Sequence, residues 1–258
     1  MIDERAIIDP AAKIAKDVTI GPYTIIGADV EIGAGTWIGP HTIIKGATRI
    51  GNNNKIYQFS SIGEDPQDLK YQGEKTYLEI GNNNIIREFC TINRGTTGDN
   101  GKTIIGNDNM LMAYVHIAHD CRIANHTIFA NNATLAGHVY VDDYAVLGGF
   151  AVIHQFCHLG THCFISGGSL VTKDVLPFVK VAGNDIYAKA FGLNSVGLRR
   201  RGFKPETRTS LKRAYKIIYR EGLTTNEAVT KLKPMTQECP EIKFFIDILT
   251  TSKNGIAR

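Results

Sequence analysis

Four of the eight histidines of this 258-residue chain, His116, His119, His138 and His154, fall in neighbouring places of a short repeat, beside residues suited to proton transfer. His119 precedes Asp120, Gly137 precedes His138, and His154 precedes Gln155. A neutral imidazole accepts a proton near pH 7, and an adjacent carboxylate orients it and stabilises its charged form. His119 with Asp120 therefore reads as a general base with its partner. Gly137 lacks a Cβ and lets its backbone N–H approach a developing oxyanion, the other requirement of acyl transfer. Zinc is the competing chemistry, since imidazole is a common ligand. No CxxC spacing accompanies these histidines, and a metal would need a precise arrangement across subunits.

Cysteine chemistry is set aside. Cys90, Cys121, Cys157 and Cys163 each occupy the small fourth position of a repeat, where Thr, Val or Ala stand elsewhere, and Cys239 has no partner motif.

The elements that must position the histidines are set by a period of six. An aliphatic or aromatic residue returns at every sixth position from Ile8 to Ile62, again from Ile80 to Ile92, and again from Ile105 to Val171, twenty-five rungs in all. Six matches neither an α-helix nor simple strand alternation, and it signals a parallel β-helix of hexapeptide repeats. Three rungs close a triangular coil of eighteen residues, and coils stacked about 4.8 Å apart build a prism roughly 40 Å long. Glycine often follows the aliphatic residue, as at Gly21, Gly39 and Gly51, which suits a tight corner. Residues eighteen apart stack, so Ile117, Leu135 and Ile153 form one column and the four histidines gather along one edge. The two interruptions, Gly63 to Glu79 and near Gly98 to Thr103, leave rungs in phase with Ile117. They point to a site on that edge. The period does not fix the handedness of the coil, and most parallel crossovers are right-handed.

Beyond Val171 the beat fades. Pro205 to Glu221, Thr225 to Lys233 and Pro240 to Thr251 read as helices that cap the prism and cover its last strand edges. The division expected is a β-helix over residues 1–185 and a helical domain over 186–258. No apolar run reaches membrane-spanning length, and the opening MIDERAIIDP lacks the pattern of a secretory signal, so a cytoplasmic address is expected. The net charge of +4 is uneven: residues 190 to 258 carry fourteen Lys or Arg against six Asp or Glu. With no nucleic-acid motif, that basic end suits an acidic protein or a phosphorylated ligand.

Several strings resemble the UDP-N-acetylglucosamine O-acyltransferase family. They are His116-Ile117-Ala118-His119-Asp120-Cys121, Asn131 to His138, Ile153 to Cys157, the loop from Gly63 to Tyr71, and Arg199-Arg200-Arg201-Gly202-Phe203. The resemblance covers essentially the whole chain. It implies a homotrimer of left-handed β-helices with sites between subunits. It also implies transfer of an (R)-3-hydroxyacyl group from acyl carrier protein to the 3-hydroxyl of UDP-N-acetylglucosamine, the opening step of lipid A synthesis. No cofactor or metal is implied. His119 matches the family's base, Asp120 its partner and Gly137 its oxyanion donor. Asp68, Lys70, His116, His138, His154 and Gln155 match positions that hold the sugar nucleotide and acyl chain, and Asn194, Arg200 and Arg201 those near the nucleotide. Gly167 matches the acyl-length ruler, where glycine leaves room for a longer chain. Asn93 and Val196 depart from the family pattern, which has His at the first position in many members and Glu at the second in some.

Rival readings are the related N-acyltransferase, a coenzyme A-dependent acetyltransferase, a zinc-dependent γ-type carbonic anhydrase and a purely structural β-helix. The first carries an extra N-terminal domain, whereas this chain enters its repeats by Ile8. The last leaves the histidines under two loops unexplained.

Overall fold

The computed structural model describes residues 1–183 and 187–258. Every rung expected from the period is a short parallel strand, from Ile7–Ile8 to Leu170–Val171. They sort into three flat faces. The first sheet has nine strands and carries Ile62, Ile92, Ile117, Leu135 and Ile153; the second has eight and carries Ile80, Ile105 and Ile123; the third has ten and carries Ile38, Phe129 and Ile165. Ile117 pairs with Leu135 and Leu135 with Ile153, so eighteen residues make one coil. The aliphatic residue of nearly every rung points inward and is buried, as with Ile38, Ile56, Ile92 and Leu135. Removing each of these from water contributes roughly 2 kcal/mol, which is what closes so thin a prism.

The fourth position of each rung does more than pack. Thr24 Oγ1 donates to Gly39 O at 2.9 Å, Thr36 Oγ1 to Gly51 O at 3.0 Å, and the Cys121 thiol to Ala136 O at 3.2 Å. These side chains tie each coil to the next. Burial pushes the thiols of Cys90, Cys121 and Cys157 up to about 12, so they stay protonated.

The corners differ from the expectation for glycine. The residue in the left-handed region is the one three places after the inward residue, and it is seldom glycine: Tyr23, His41, Phe59, Asp120, His138, Tyr144 and Phe156 all have φ between 54° and 65°. The glycine directly after the inward residue serves another purpose. A Cβ at Gly21 would lie 2.7 Å from Pro40 N, and one at Gly51 2.6 Å from Gly81 O, so these positions are bare because the next coil passes against them. The corner residues stack in columns. Tyr23, His41, Phe59, Phe89 and Tyr114 follow one another with ring centroids 5.1, 5.3, 5.1 and 4.8 Å apart.

Beyond Val171 the spacing slips, and the repeats then resume through a bridge between Leu159 and Val175 and a strand at Val179–Ala182. That strand pairs antiparallel with Lys189–Leu193. The domain boundary expected between residues 185 and 186 lies outside the described residues. Four α-helices follow: α1 (Ser195–Arg200), α2 (Pro205–Arg220), α3 (Thr225–Leu232) and α4 (Ile242–Thr251). Only α1 is absent from the sequence expectation; it is six residues long, capped by Asn194, and too short to show a period. Pro205 starts α2, and a Thr224–Glu227 capping box starts α3. Phe203 and Phe245 meet Phe178 at 6.0 and 5.5 Å, seating the helices on the prism end. Among the described residues no helix is long and apolar enough to cross a membrane.

His162 sits in a ring column between Tyr144 (4.7 Å) and Phe178 (5.8 Å), and its buried Nδ1 has no hydrogen-bond partner among the described residues. Burial, and next the Arg201 charge, push its pKa down from 6.5 to about 4. Between those values the unfolded chain binds a proton that the folded chain rejects, so stability falls as pH drops through that window. Phe178 and Phe156 show that this corner conformation accepts phenylalanine. His162→Phe is therefore expected to keep the neutral-pH melting temperature and to lose a few degrees less than the parent between pH 7 and pH 4.5, followed by calorimetry.

Candidate active site

Both insertions interrupt the same edge of the prism. Residues 65–76 run between Ser61–Glu64 of the first sheet and Tyr77–Ile80 of the second, and residues 94–101 between Thr91–Asn93 of the first and Lys102–Ile105 of the second. His119 and Asp120 turn the same corner two coils and one coil further on, between His116–Ile117 and Arg122–Ile123.

The Asp120 side chain is fully buried, and it accepts three hydrogen bonds. His119 Nδ1 lies 2.8 Å from Oδ2, Thr96 Oγ1 donates to Oδ2 at 2.7 Å, and Thr96 N donates to Oδ1 at 2.8 Å. Burial alone would raise its pKa, but the His119 and Thr96 bonds and the nearby His138 outweigh it and hold the carboxyl below its usual range. The backbone is pinned too, since Asp120 N donates to Thr103 Oγ1 at 2.9 Å. With Nδ1 engaged, Nε2 is the His119 nitrogen left for a substrate. The side chain is 13% exposed.

Gly137 lies one coil beyond His119 in the same column. A Cβ there would stand 2.6 Å from His119 Cε1, so the imidazole rests directly on the glycine. Ala136 N donates to Ile153 O and His138 N to His119 O, while Gly137 N between them has no partner among the described residues. His138 meets the His119 ring edge-on at 5.1 Å and stacks on Phe156 at 4.6 Å. Its Nε2 is 3.7 Å from Asp120 and its Nδ1 3.6 Å from Asp99. His116 bonds Thr91 Oγ1 at 2.7 Å, and burial, then the neighbouring His119, lowers its pKa.

Ligating atoms of His119, Asp120 and His138 fall within 4.8 Å of one another, the grouping of metal-binding type found among the described residues. His154 and His158, and again His158 and His162, show a four-residue spacing that would mark a ligand pair on a helix. On six-residue rungs the same spacing sends them to different sides of the coil, so it builds no ligand set here.

Other expected residues lie on this edge without joining the cluster. Among the described residues His154 Nδ1 bonds only Gln155 O, at 3.2 Å, and both side chains are exposed one coil past Gly137. Asp68 and Lys70 belong to the first insertion, where Asp68 Oδ1 accepts from Lys70 N at 3.0 Å. Asn194, Arg200 and Arg201 are elsewhere. With Val196 they line a cavity of about 800 Å³ against Ile128, Val146, Phe164 and Lys180 of the third sheet. Arg201 lies 4.3 Å over the Tyr144 ring, and Asn194 bonds Gly197 N and His162 O. Gly167 is on the corner between the third and first sheets, where a Cβ would stand 3.1 Å from Gly149 O. In a triangular prism the edge between two faces points away from the third face. The histidine edge and the arginine cavity therefore face opposite ways on one chain.

Asn93 is buried on the histidine edge; its Nδ2 donates to Asp65 O at 2.6 Å and its Oδ1 is unpartnered. Sequence reasoning missed Thr96, Thr103, Asp99 and Arg94. Thr103 enters the sequence reading only as the end of the second interruption, and the other three lie at that insertion, which no repeat indexes.

Comparison with known proteins follows this geometry. The family model described as the second domain of UDP N-acetylglucosamine O-acyltransferase matches residues 174–257, and the bacterial transferase hexapeptide model matches 29–64 and 102–137. The acyl-[acyl-carrier-protein]–UDP-N-acetylglucosamine O-acyltransferase of Stutzerimonas stutzeri is 54% identical over 258 residues, covering 100% of this chain and 99% of the relative. The solved Acinetobacter baumannii LpxA is 51% identical with a TM-score of 0.97, covering 100% of this chain and 99% of that one. The Francisella novicida UDP-N-acetylglucosamine acyltransferase is 44% identical with a TM-score of 0.98, covering 100% and 94%. The prism is thus the left-handed hexapeptide β-helix of these relatives. With full-length identity above half and the same fold from end to end, the chain is an acyltransferase that belongs to the UDP-N-acetylglucosamine O-acyltransferase family.

Proposed function

We propose that this protein transfers an (R)-3-hydroxyacyl group from acyl carrier protein to the 3-hydroxyl of UDP-N-acetylglucosamine, the first step of lipid A biosynthesis, with His119 as general base. The observation that carries the reading is His119 itself: Nδ1 held by the buried Asp120 carboxylate, Nε2 free, and the ring set against Gly137, whose N–H is unused. A sugar hydroxyl is a weak nucleophile until it loses its proton. Nε2 takes that proton as the oxygen attacks the thioester carbonyl. Gly137 N–H faces the oxyanion of the tetrahedral intermediate, and collapse expels the carrier's thiolate, which recovers the proton from His119. Asp120 stabilises the imidazolium in between. No metal or covalent enzyme intermediate is needed on this route.

Asp68, Lys70, His116, His138, His154 and Gln155 would then contact the sugar nucleotide and acyl chain, and Gly167 would set the chain length. Asn194, Arg200 and Arg201 would hold the nucleotide. Since these last three face away from His119 on one chain, the site needs a second copy. A head-to-tail contact of one chain's edge with the next chain's third face closes into a ring, and we take the ring to be the homotrimer. The surface supports this. Lys13, Glu31, Arg49, Glu79 and Lys102 lay ion pairs along the second sheet, which suits water. The edge between the third and first sheets bears the exposed Tyr23, Phe59, Phe89, Tyr114 and Phe150, which suits a neighbouring protein. Lys204, Arg208, Lys212, Arg213, Lys216 and Arg220 concentrate positive charge in and before α2, and the carrier protein is acidic, so steering favours its approach there. On this reading the enzyme works in the cytoplasm, the address expected from the sequence.

Mass spectrometry after mixing the protein with UDP-N-acetylglucosamine and carrier proteins bearing 3-hydroxyacyl chains of several lengths should show a 3-O-acylated sugar nucleotide and report the chain preference. His119→Ala should keep the melting temperature and oligomer while kcat falls by about 10³-fold; turnover near the parent's removes His119 from the base role. In Gly137→Ala the new methyl meets the imidazole, and a ring displaced by an ångström should lower kcat about 100-fold with little loss of stability, whereas unchanged kcat would mean that the ring needs no such seat. Co-expressed His119→Ala and Arg201→Ala chains, each inactive alone, should give a random pool of oligomers with about a quarter of parental activity if each site takes its edge from one chain and its face from the next. Mixed oligomers as inactive as either variant would refute shared sites.

A further inference from the structure

Three consecutive residues at the start of the second insertion touch both halves of the reacting machinery. Arg94, 8% exposed, donates through Nη1 to Gly63 O and through Nη2 to the Asp65 carboxylate and to Tyr71 Oη at 3.0 Å. Arg94 N also donates to Glu64 O at 3.1 Å. It thereby holds both shoulders of the loop carrying Asp68 and Lys70. Gly95 N donates to Tyr77 O, and a Cβ at Gly95 would stand 2.2 Å from Lys102 N, so this residue passes through a gap that admits only glycine. Thr96 then supplies two of the three hydrogen bonds received by Asp120.

We propose that Arg94-Gly95-Thr96 is a positioning segment in which Thr96 fixes the Asp120 carboxylate for His119 and Arg94 fixes the loop of Asp68 and Lys70. The proposal rests on His119 being the base. Neither residue touches the reacting atoms; Thr96 acts through Asp120, and Arg94 through the loop. Thr96 Oγ1 and His119 Nδ1 share the single oxygen Oδ2, so the hydroxyl draws off part of the negative charge that faces the imidazole. Without it, Oδ2 stabilises the imidazolium more strongly and the carboxylate loses one of its anchors. The other titratable groups around the pair, His116, His138, Asp99 and the Cys121 thiol, are the same in either case.

The test is steady-state kinetics across pH on the full-length protein, with melting temperature and oligomeric state as controls. Thr96→Val is expected to lower kcat about tenfold, leave both KM values within about twofold, and move the acid limb of kcat/KM to higher pH. Thr96→Ser should restore the limb. Arg94→Lys keeps the charge but loses the fork; it should raise KM for the sugar nucleotide about tenfold with kcat nearly unchanged and the limb unmoved. Should that chain fail to fold, Tyr71→Phe, which removes one contact of the same guanidinium, is expected to raise the same KM in smaller measure. An unmoved limb in Thr96→Val, or loss of kcat alone in the Arg94 or Tyr71 variant, overturns the proposal. His119→Ala measured alongside separates the two levels. Turnover retained there removes the base and the proposal with it, while turnover lost there beside parental kinetics in Thr96→Val removes the positioning segment alone.

Discussion

The structure depends on keeping one apolar side chain pointing inward every sixth residue without a slip. The prism has no second layer to absorb an error, because each rung is two to four residues long and its partners are the third rung before it and the third rung after it, eighteen residues away except across the insertions. A shift of one residue would turn every inward Ile outward and every corner side chain into a face. Buried threonines and cysteines at the fourth position lock the register by bonding the carbonyls of the next coil. The two insertions obey the same constraint, since each leaves from a first-sheet rung and returns to the second sheet in phase.

That rigidity is what lets a corner do chemistry. Asp120 and His138 both occupy the left-handed corner position, φ 60° each, a conformation costing about 1 kcal/mol or more for a residue with a Cβ. The stacked coils impose it, so the orientation of Asp120 is settled before any substrate arrives. His119, one residue earlier, is then fixed from two sides, by the carboxylate at Nδ1 and by bare Gly137 beneath the ring. Such preorganisation suits a reaction in which the protein moves a proton and faces a transient oxyanion.

A triangular section has a further consequence. Three faces allow three environments: ion pairs along the second sheet, an apolar third face with the arginine cavity, and a first face that leads into the histidine edge. The edge and the cavity point apart, so the proposed function requires a second prism to complete its site.

By itself the sequence determined whatever repeats. The period placed all twenty-five rungs, the phase put both insertions on one edge, and the eighteen-residue coil stacked His119 and Gly137. Prolines and helical spacing marked three of the four helices. Tertiary structure decided what does not repeat. Thr96 and Arg94 lie in or beside an insertion whose path no period indexes, and they reach Asp120, Asp65 and Tyr71 only once that path is folded. His154 and Gln155 share the edge but not the hydrogen bonds, because side-chain reach is a matter of torsion angles and not of register. Likewise the glycine directly after the inward residue is bare because the next coil passes against it, a contact between coils that local composition does not encode, while the left-handed corner conformation falls two places further on, on residues that are seldom glycine.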